Sequence, residues 1–320
     1  MLSRHLCHPG RALGLLSMLL VGCGERPTES ANTAAGEPMD SLVSVEWLAA
    51  NLDDPDLIVL DATVLTVADE EGNLVSVSGR DEYLKGHIPG AGFADMMGAL
   101  SDTESPYRFA VPTPEQFSAA MEALGVGDDK RVVLYDSARS MWAARVWWML
   151  RWIGFDNAAL LDGGTAAWTE AGHPLASDVT ERTPGSLTVS LRPELIADQE
   201  EVRAAIDDAS VELVDALPEP IFAGEMTLYS RPGHIPGAVN VPTRTLMNEA
   251  GRFKSDVELK SLFGNNDDKR SIHYCGGGIA ASATAFALVR AGHKNVAVYT
   301  ASLQEWTADP ENPMETGAAE

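Results

Sequence analysis

The sequence predicts an α/β fold: two duplicated domains, each a mainly parallel sheet flanked by helices. Three observations carry that expectation. The hexapeptide GHIPGA occurs twice, at residues 86–91 and 233–238, which puts His87 and His234 147 residues apart. Each copy follows an apolar run ending in Asp-Ala, VLDA to Ala62 and LVDA to Ala216, and precedes a helix-like segment and a second apolar run. Short β-branched runs separated by helical patterns argue for βαβ units on a parallel sheet. The length agrees, because 320 residues exceed what one core ordinarily supports.

At the start, basic Arg4 and Arg11 precede an apolar run over residues 12–21 and then small residues, the layout of a secretory signal too short to span a bilayer comfortably. Leu20-Val21-Gly22-Cys23 resembles a bacterial lipobox, so residues 1–22 are expected to be a lipoprotein signal peptide and Cys23 the lipidated residue. Gly24 carries no acidic inner-membrane retention mark, which points to a cell-envelope protein on the periplasmic face of the outer membrane, held by its N-terminal lipid only. Residues 23–40 are mostly small and polar with no apolar period, as a flexible tether requires. Cys7 leaves with the signal, so Cys275 is expected to be the one free thiol.

The first domain is expected over 41–176, with the strand RVVLYD from Arg131, a helix over 141–153 and the run LLDGG at 160–164. Trp142, Trp147, Trp148 and Trp152 sit on that helix at spacings that suit packing between the sheet and the other domain. Turn formers around a short alternating stretch place the interdomain linker at 177–194. The second domain follows over 195–310. Two helix starts, Asp198 and Ser255, are each followed three residues later by a glutamate, the capping-box spacing. SIHYC from Ser271, a helix over 279–291 and VAVYT complete the domain, and residues 311–320 form a tail.

Chemistry is expected where the two copies differ. In the second, Cys275 at a strand end is followed by Gly276, Gly277 and Gly278, then Ile279 and Ala280 at a helix start. Successive glycines let consecutive N–H groups converge, and a helix N-terminus adds partial positive charge. That setting favours a thiolate, the nucleophilic form of cysteine. At the matching place the first copy has Asp136 in a loop one residue longer, and a carboxylate there is expected to cap the next helix. The first domain is thus read as non-catalytic. His87 and His234 are read as structural, their rings fixing a turn that Pro and Gly already bend. No CxxC, HExxH, acidic Ca²⁺ loop or GxGxxG occurs, so neither metal nor cofactor is expected.

These segments, in this order, resemble a tandem-domain rhodanese, the sulfurtransferase architecture in which a non-catalytic N-terminal copy packs on a cysteine-bearing C-terminal copy. Chief among them are GHIPGAGFADMMGALSDTESPYRF, VVLYDSARSMWAARVWWMLRWIGF, LLDGGTAAW, GHIPGAVNVP and HYCGGGIAASATAFALVRAG. The resemblance implies double displacement. Cys275 takes sulfane sulfur from thiosulfate or 3-mercaptopyruvate, holds it as a persulfide in the cradle 276–280, and passes it to a thiophilic acceptor such as cyanide or a thiol. Two departures stand out. Gly277 replaces the basic residue or serine that marks the family's two subclasses, and Ile221 replaces an arginine of the substrate clamp. Arg231, Arg80 and Arg244 are the remaining candidates for substrate binding.

The expected partners are a small sulfur donor and a thiophilic acceptor, a protein acceptor among them. Nucleic acid is excluded, since 23 Lys and Arg against 47 Asp and Glu leave a net charge of −24 that phosphate backbones repel. A cysteine phosphatase or arsenate reductase with a Cys-x5-Arg loop is disfavoured, because Ala281 stands where the arginine belongs. A third class is an envelope-anchored persulfide carrier with little turnover of small donors. The oligomeric state is not set by the sequence.

Overall fold

Every apolar run expected to be a strand becomes one, and the residues between them wind into helices that cover both faces of two sheets. A computed structural model of the chain describes residues 39–264 and 268–318; the expected signal peptide, Cys23 and nearly all of the tether lie outside them. The first half runs β1 (Leu42–Val43), α1 (Val45–Asn51), β2 (Leu57–Asp61), β3 (Val64–Ala68), β4 (Leu74–Ser78) and α2 (Arg80–Lys85). It continues with β5 (Gly92–Phe93), α3 (Pro114–Ala123), β6 (Arg131–Tyr135), α4 (Met141–Trp152), β7 (Ala158–Leu161) and α5 (Gly164–Glu170). The second half runs β8 (Ile196–Ala197), α6 (Gln199–Ala205), β9 (Val211–Asp215), α7 (Glu219–Phe222) and β10 (Val239–Asn240). It ends with α8 (Asp256–Leu262), β11 (Arg270–Tyr274), α9 (Ile279–Arg290), β12 (Val296–Tyr299) and α10 (Ser302–Trp306).

The two five-stranded sheets have the orders β1-β7-β6-β2-β5 and β8-β12-β11-β9-β10, with all pairings parallel, so one repeats the other strand for strand. Even the register is kept: Asp61 lies opposite Tyr135, and Asp215 opposite Tyr274. GHIPGA is pinned to that register. The Ile88 N–H donates to the Tyr135 hydroxyl and the Ile235 N–H to the Tyr274 hydroxyl, each at 3.1 Å. Both motif histidines are buried, with Nδ1 at 2.7 Å from the Tyr83 carbonyl and 2.8 Å from that of Phe222, and each ring stacks on the same aromatic residue. The motif therefore clamps the tyrosine immediately before Asp136 in one half and before Cys275 in the other.

The two halves meet where α4 packs along α9. Trp147 and Phe286 meet in a T-shaped pair with centroids 4.8 Å apart, and Trp148 ties α4 to the second half through an indole N–H to the Leu195 carbonyl. Capping follows the sequence: Ser255 and Glu258 form a complete capping box, and Asp198 accepts from the Glu201 N–H.

Two features depart from the sequence reading, the hairpin after β2 and the closing role of the tail. Residues 64–78 form the antiparallel hairpin β3–β4, an insertion with no counterpart in the second sheet. The linker is an extended strap without strands, with Gly185 and Leu187 N–H groups held by Glu122 and Ser190 N–H by the Ile153 carbonyl. Residues beyond 310 belong to the fold. His234 and Glu315 exchange two backbone hydrogen bonds of 2.9 Å, as His87 and Ala176 do at 2.8 and 2.9 Å, and the Gly317 N–H donates to Ala223. A GHIPGA motif needs a returning chain to close it, and the tail supplies one.

Candidate active site

Cys275 follows β11 directly and lies 3% exposed in front of α9. Among the described residues it is the free cysteine. The loop after it is shaped by what surrounds each glycine. A Cβ on Gly276 would run into the Tyr229 hydroxyl, and one on Gly277 into the side-chain amide of Gln304. Gly278 holds φ +78° as the cap of α9, and a Cβ there would lie 2.6 Å from the Thr300 carbonyl oxygen. Only hydrogen fits at the three positions without movement.

The carbonyls on either side of Gly277 are taken. Cys275 and Gly276 carbonyls accept from Leu303 and Gln304 N–H groups of α10, and the Cys275 N–H donates 3.1 Å to Ser302 Oγ. The N–H groups of Gly276, Gly277, Gly278, Ile279 and Ala280, by contrast, donate to no described residue. In the first half the same stretch is saturated: Asp136 accepts from Ala138 and Ser140 with Oδ1 and from Trp142 and Ala143 with Oδ2, all at 2.7–2.9 Å. The expected cap is thus a four-fold one. One loop contains its own carboxyl acceptor, and its twin has five amide donors without a described acceptor next to a thiol at a helix N-terminus, a setting suited to an anion.

Several residues of this site were not legible in the sequence. Arg145 of α4 crosses from the first half beneath the loop, fully buried, with Nη1 3.0 Å from where a Gly278 Cβ would stand. Its Nη2 donates 3.0 Å to the Phe109 carbonyl. Residues 106–109, also of the first half, form the rim: Arg108 N–H donates to Gln304 Oε1 at 2.9 Å, and Gln304 Nε2 returns to the Arg108 carbonyl at 3.2 Å. On the far side of Tyr229 and Gln304, which touch the glycines, lies an open cavity of about 320 Å³ also lined by Tyr107, Leu228 and Ser230. Burial and then the Cys275 charge push the Tyr229 phenol up, so it stays a neutral O–H donor beside the glycines.

The three arginines singled out from the sequence do not build a clamp here. Arg231 is a correction: its guanidinium donates to the carbonyls of Trp306, Thr307, Asp309 and Asn312, so it fastens the turn after α10 and has no free face for a substrate. Arg80 opens α2 in the first half and lies over the Phe93 ring, and Arg244 is exposed on the 3₁₀ turn Thr243–Leu246. Ile221 is buried on α7. The departure at Gly277 has a physical counterpart, since Gln304 fills the space a larger side chain would take.

Comparison with known proteins matches this geometry. The sequence model of the rhodanese-like domain covers residues 44–171 and again 198–309. The chain is 36% identical over 280 residues to the 3-mercaptopyruvate sulfurtransferase of Escherichia coli K12, covering 85% of this chain and 97% of that one. It is 32% identical over 292 residues to the thiosulfate sulfurtransferase of Rattus norvegicus, covering 87% and 96%. Among solved structures, SseA of Escherichia coli, a 3-mercaptopyruvate sulfotransferase, superposes with a TM-score of 0.73 at 36% identity over 82% of this chain and 98% of its own. The anaerobic ergothioneine biosynthesis enzyme of Chlorobium limicola gives 0.73 at 28% identity over 87% and 70%. With two matched domains, a repeated sheet and relatives aligned along nearly their whole length, the chain belongs to the rhodanese family and is a tandem-domain sulfurtransferase.

Proposed function

We propose that Cys275 is the sulfur carrier of this enzyme and that thiosulfate or 3-mercaptopyruvate supplies the sulfur, as in the named relatives. The observation that carries this reading is that the amides of residues 276–280, which directly follow a buried thiol at a helix N-terminus, donate to no described residue, where the sister loop's amides are held by a carboxylate. The steps balance without a cofactor. The Cys275 thiolate attacks the outer sulfur of thiosulfate, an S–S bond forms, the donor's S–S bond breaks, and sulfite leaves with its electron pair. With 3-mercaptopyruvate the breaking bond is C–S, and the leaving pyruvate enolate takes a proton. The persulfide anion lies among the amides until cyanide or a thiol removes its outer sulfur and regenerates the thiolate.

A second reading rests on a specific observation: Arg231 is fastened to carbonyls and Ile221 is apolar, so neither meets a small anionic donor in the cavity. In it the protein is an envelope-anchored persulfide carrier loaded by a protein. In both readings Cys23 carries the lipid and residues 23–40 hold the enzyme off the periplasmic face of the outer membrane. Intact mass of the chain without its signal, before and after thiosulfate or 3-mercaptopyruvate and then cyanide, beside Cys275→Ser, tests the chemistry. A gain of one sulfur that needs Cys275 and is lost to cyanide is expected. No gain with either donor leaves the carrier reading. Release of a lipid-modified N-terminal fragment from envelope preparations tests the anchor.

A further inference from the structure

Arg145 is the largest buried cation of the molecule's interface and lacks an ordinary partner. Its side chain is 0% exposed, Nη2 is bonded to one neutral carbonyl, and Nε and Nη1 have no hydrogen-bond partner among the described residues. No described carboxylate lies within ion-pair distance of it. Its helix neighbour Arg151 shows the usual arrangement, with Asp156 at 3.5 Å. A guanidinium removed from water is costly unless a negative charge or enough acceptors replace that water. If α4 and α9 needed only packing at this position, an apolar side chain of similar volume would serve as well or better, for the helix faces here carry Trp147, Trp148 and Phe286.

The direction of the side chain supplies the missing half. Arg145 leaves the first half and passes under the cap of α9, with Nη1 against Gly278, three residues from Cys275. Burial lowers the guanidinium to about 10, and the one charge that acts against this is Cys275. The arrangement is not reciprocal. Where the repeat places the equivalent of Arg145 on α9 stands Ala283, and Asp136 accepts four amide N–H groups with no described cation of the second half bonded to it.

We infer that Arg145 is a positioning residue for the Cys275 sulfur: the cation, delivered across the domain interface, that holds it as thiolate and then as persulfide anion. The non-catalytic half thereby supplies charge to the catalytic one. The inference rests on Cys275 being the sulfur carrier and concerns its charge, not its donor.

The test is the pH profile of Cys275 alkylation by iodoacetamide in the wild-type chain, Arg145→Lys, Arg145→Gln and Arg145→Met, with thermal melting recorded for each. In the neutral variants the midpoint of the profile is expected to rise by about one pH unit or more, which slows alkylation about tenfold near pH 7. Arg145→Lys is expected to lie closer to wild type at a similar loss of melting temperature. A purely structural arginine would lower melting and leave the profile where it was, and that result overturns the inference. Should neither neutral variant fold, Arg145→His, uncharged above about pH 7, takes their place: a profile moved up from wild type upholds the inference, and one left where it was overturns it. Sulfur uptake by mass is scored separately. A wild-type thiol that ionises early yet takes up no sulfur refutes the carrier role and not the effect of Arg145; uptake with an unmoved profile in Arg145→Gln does the reverse.

Discussion

At the ends of β6 and β11 the same strand, loop and helix are built around different side chains, and the comparison shows what a sulfur-carrying loop requires. In the first half Asp136 is a carboxyl fixed by the sequence, and its four amide bonds close the loop into a finished cap. In the second half the smaller thiol leaves the amides of 276–280 free, Tyr229 and Gln304 crowd the glycines, and Arg145 brings charge from the other domain. Replacing a carboxylate by a thiol thus turns a structural cap into a place for a transient anion. The duplicated fold supplies both forms of one loop, with one half stabilising and the other reacting.

The largest expected contrast comes from removing each side chain in turn. Cys275→Ser loses sulfur uptake entirely and melts close to wild type, since serine is nearly isosteric and the loop's bonds are backbone ones. Asp136→Ala keeps sulfur uptake per folded molecule but loses roughly 2–4 kcal/mol of stability, because four buried N–H groups lose their acceptor at once. Urea denaturation alongside mass spectrometry measures both. A stable Asp136→Ala, or a Cys275→Ser that still takes up cyanide-labile sulfur, would break the comparison.

The halves should also differ in acid. Burial raises Asp215 to about 7, against about 3.9 unfolded, so between these values the native state holds the extra proton and stability rises as pH falls. Burial lowers His273 to about 3, against about 6.5 unfolded; there the unfolded chain holds the extra proton, and stability falls as pH falls. The two oppose each other over one window. The first half has the buried Asp61, also raised by burial, but Leu134 stands where the register places His273. Asp215→Asn is therefore expected to make the protein more acid-sensitive between about pH 7 and 4, and His273→Gln less so, each by on the order of 1–2 kcal/mol. Urea midpoints at several pH values check the signs, and parallel profiles for the two variants would show that the groups do not titrate as their burial requires.

Much of this was open to reading because it is written locally and twice. Strands ending at Asp61, Tyr135, Asp215 and Tyr274, the GHIPGA turns, the caps and the cysteine-glycine loop all follow from short patterns whose repetition fixes the order of the sheet. What escaped is what depends on one half meeting the other. Arg145 looks like a helix-surface arginine until α4 is laid on α9, and residues 106–109 become a rim only through Gln304, almost two hundred positions away. Arg231 misled through distance within one half, since its four carbonyls come from a turn some 75–81 residues later. The closing strand at Glu315 carries no apolar pattern because it makes a single bridge.

The smallest expected difference lies at the caps of α4 and α9. Ser140 and Gly278 occupy the same place with φ +61° and +78°, yet only one is glycine. Ser140 makes no side-chain cap bond, so the strained backbone is held by its N–H to Asp136 rather than by its own hydroxyl. Ser140→Gly relieves the left-handed strain while loosening the unfolded chain, and the balance is expected to stabilise the protein by at most about 1 kcal/mol. Gly278→Ser faces the same backbone and, in addition, the Thr300 carbonyl oxygen at 2.6 Å and Arg145 Nη1 at 3.0 Å, so it should cost about 2 kcal/mol or more and displace the guanidinium. Melting curves for the pair distinguish backbone strain from crowding. Equal and opposite small shifts would mean that φ alone governs the cap. A larger loss at Gly278, accompanied by slower Cys275 alkylation, would mean that glycine is required there because a cation from the other half occupies the space a side chain would need.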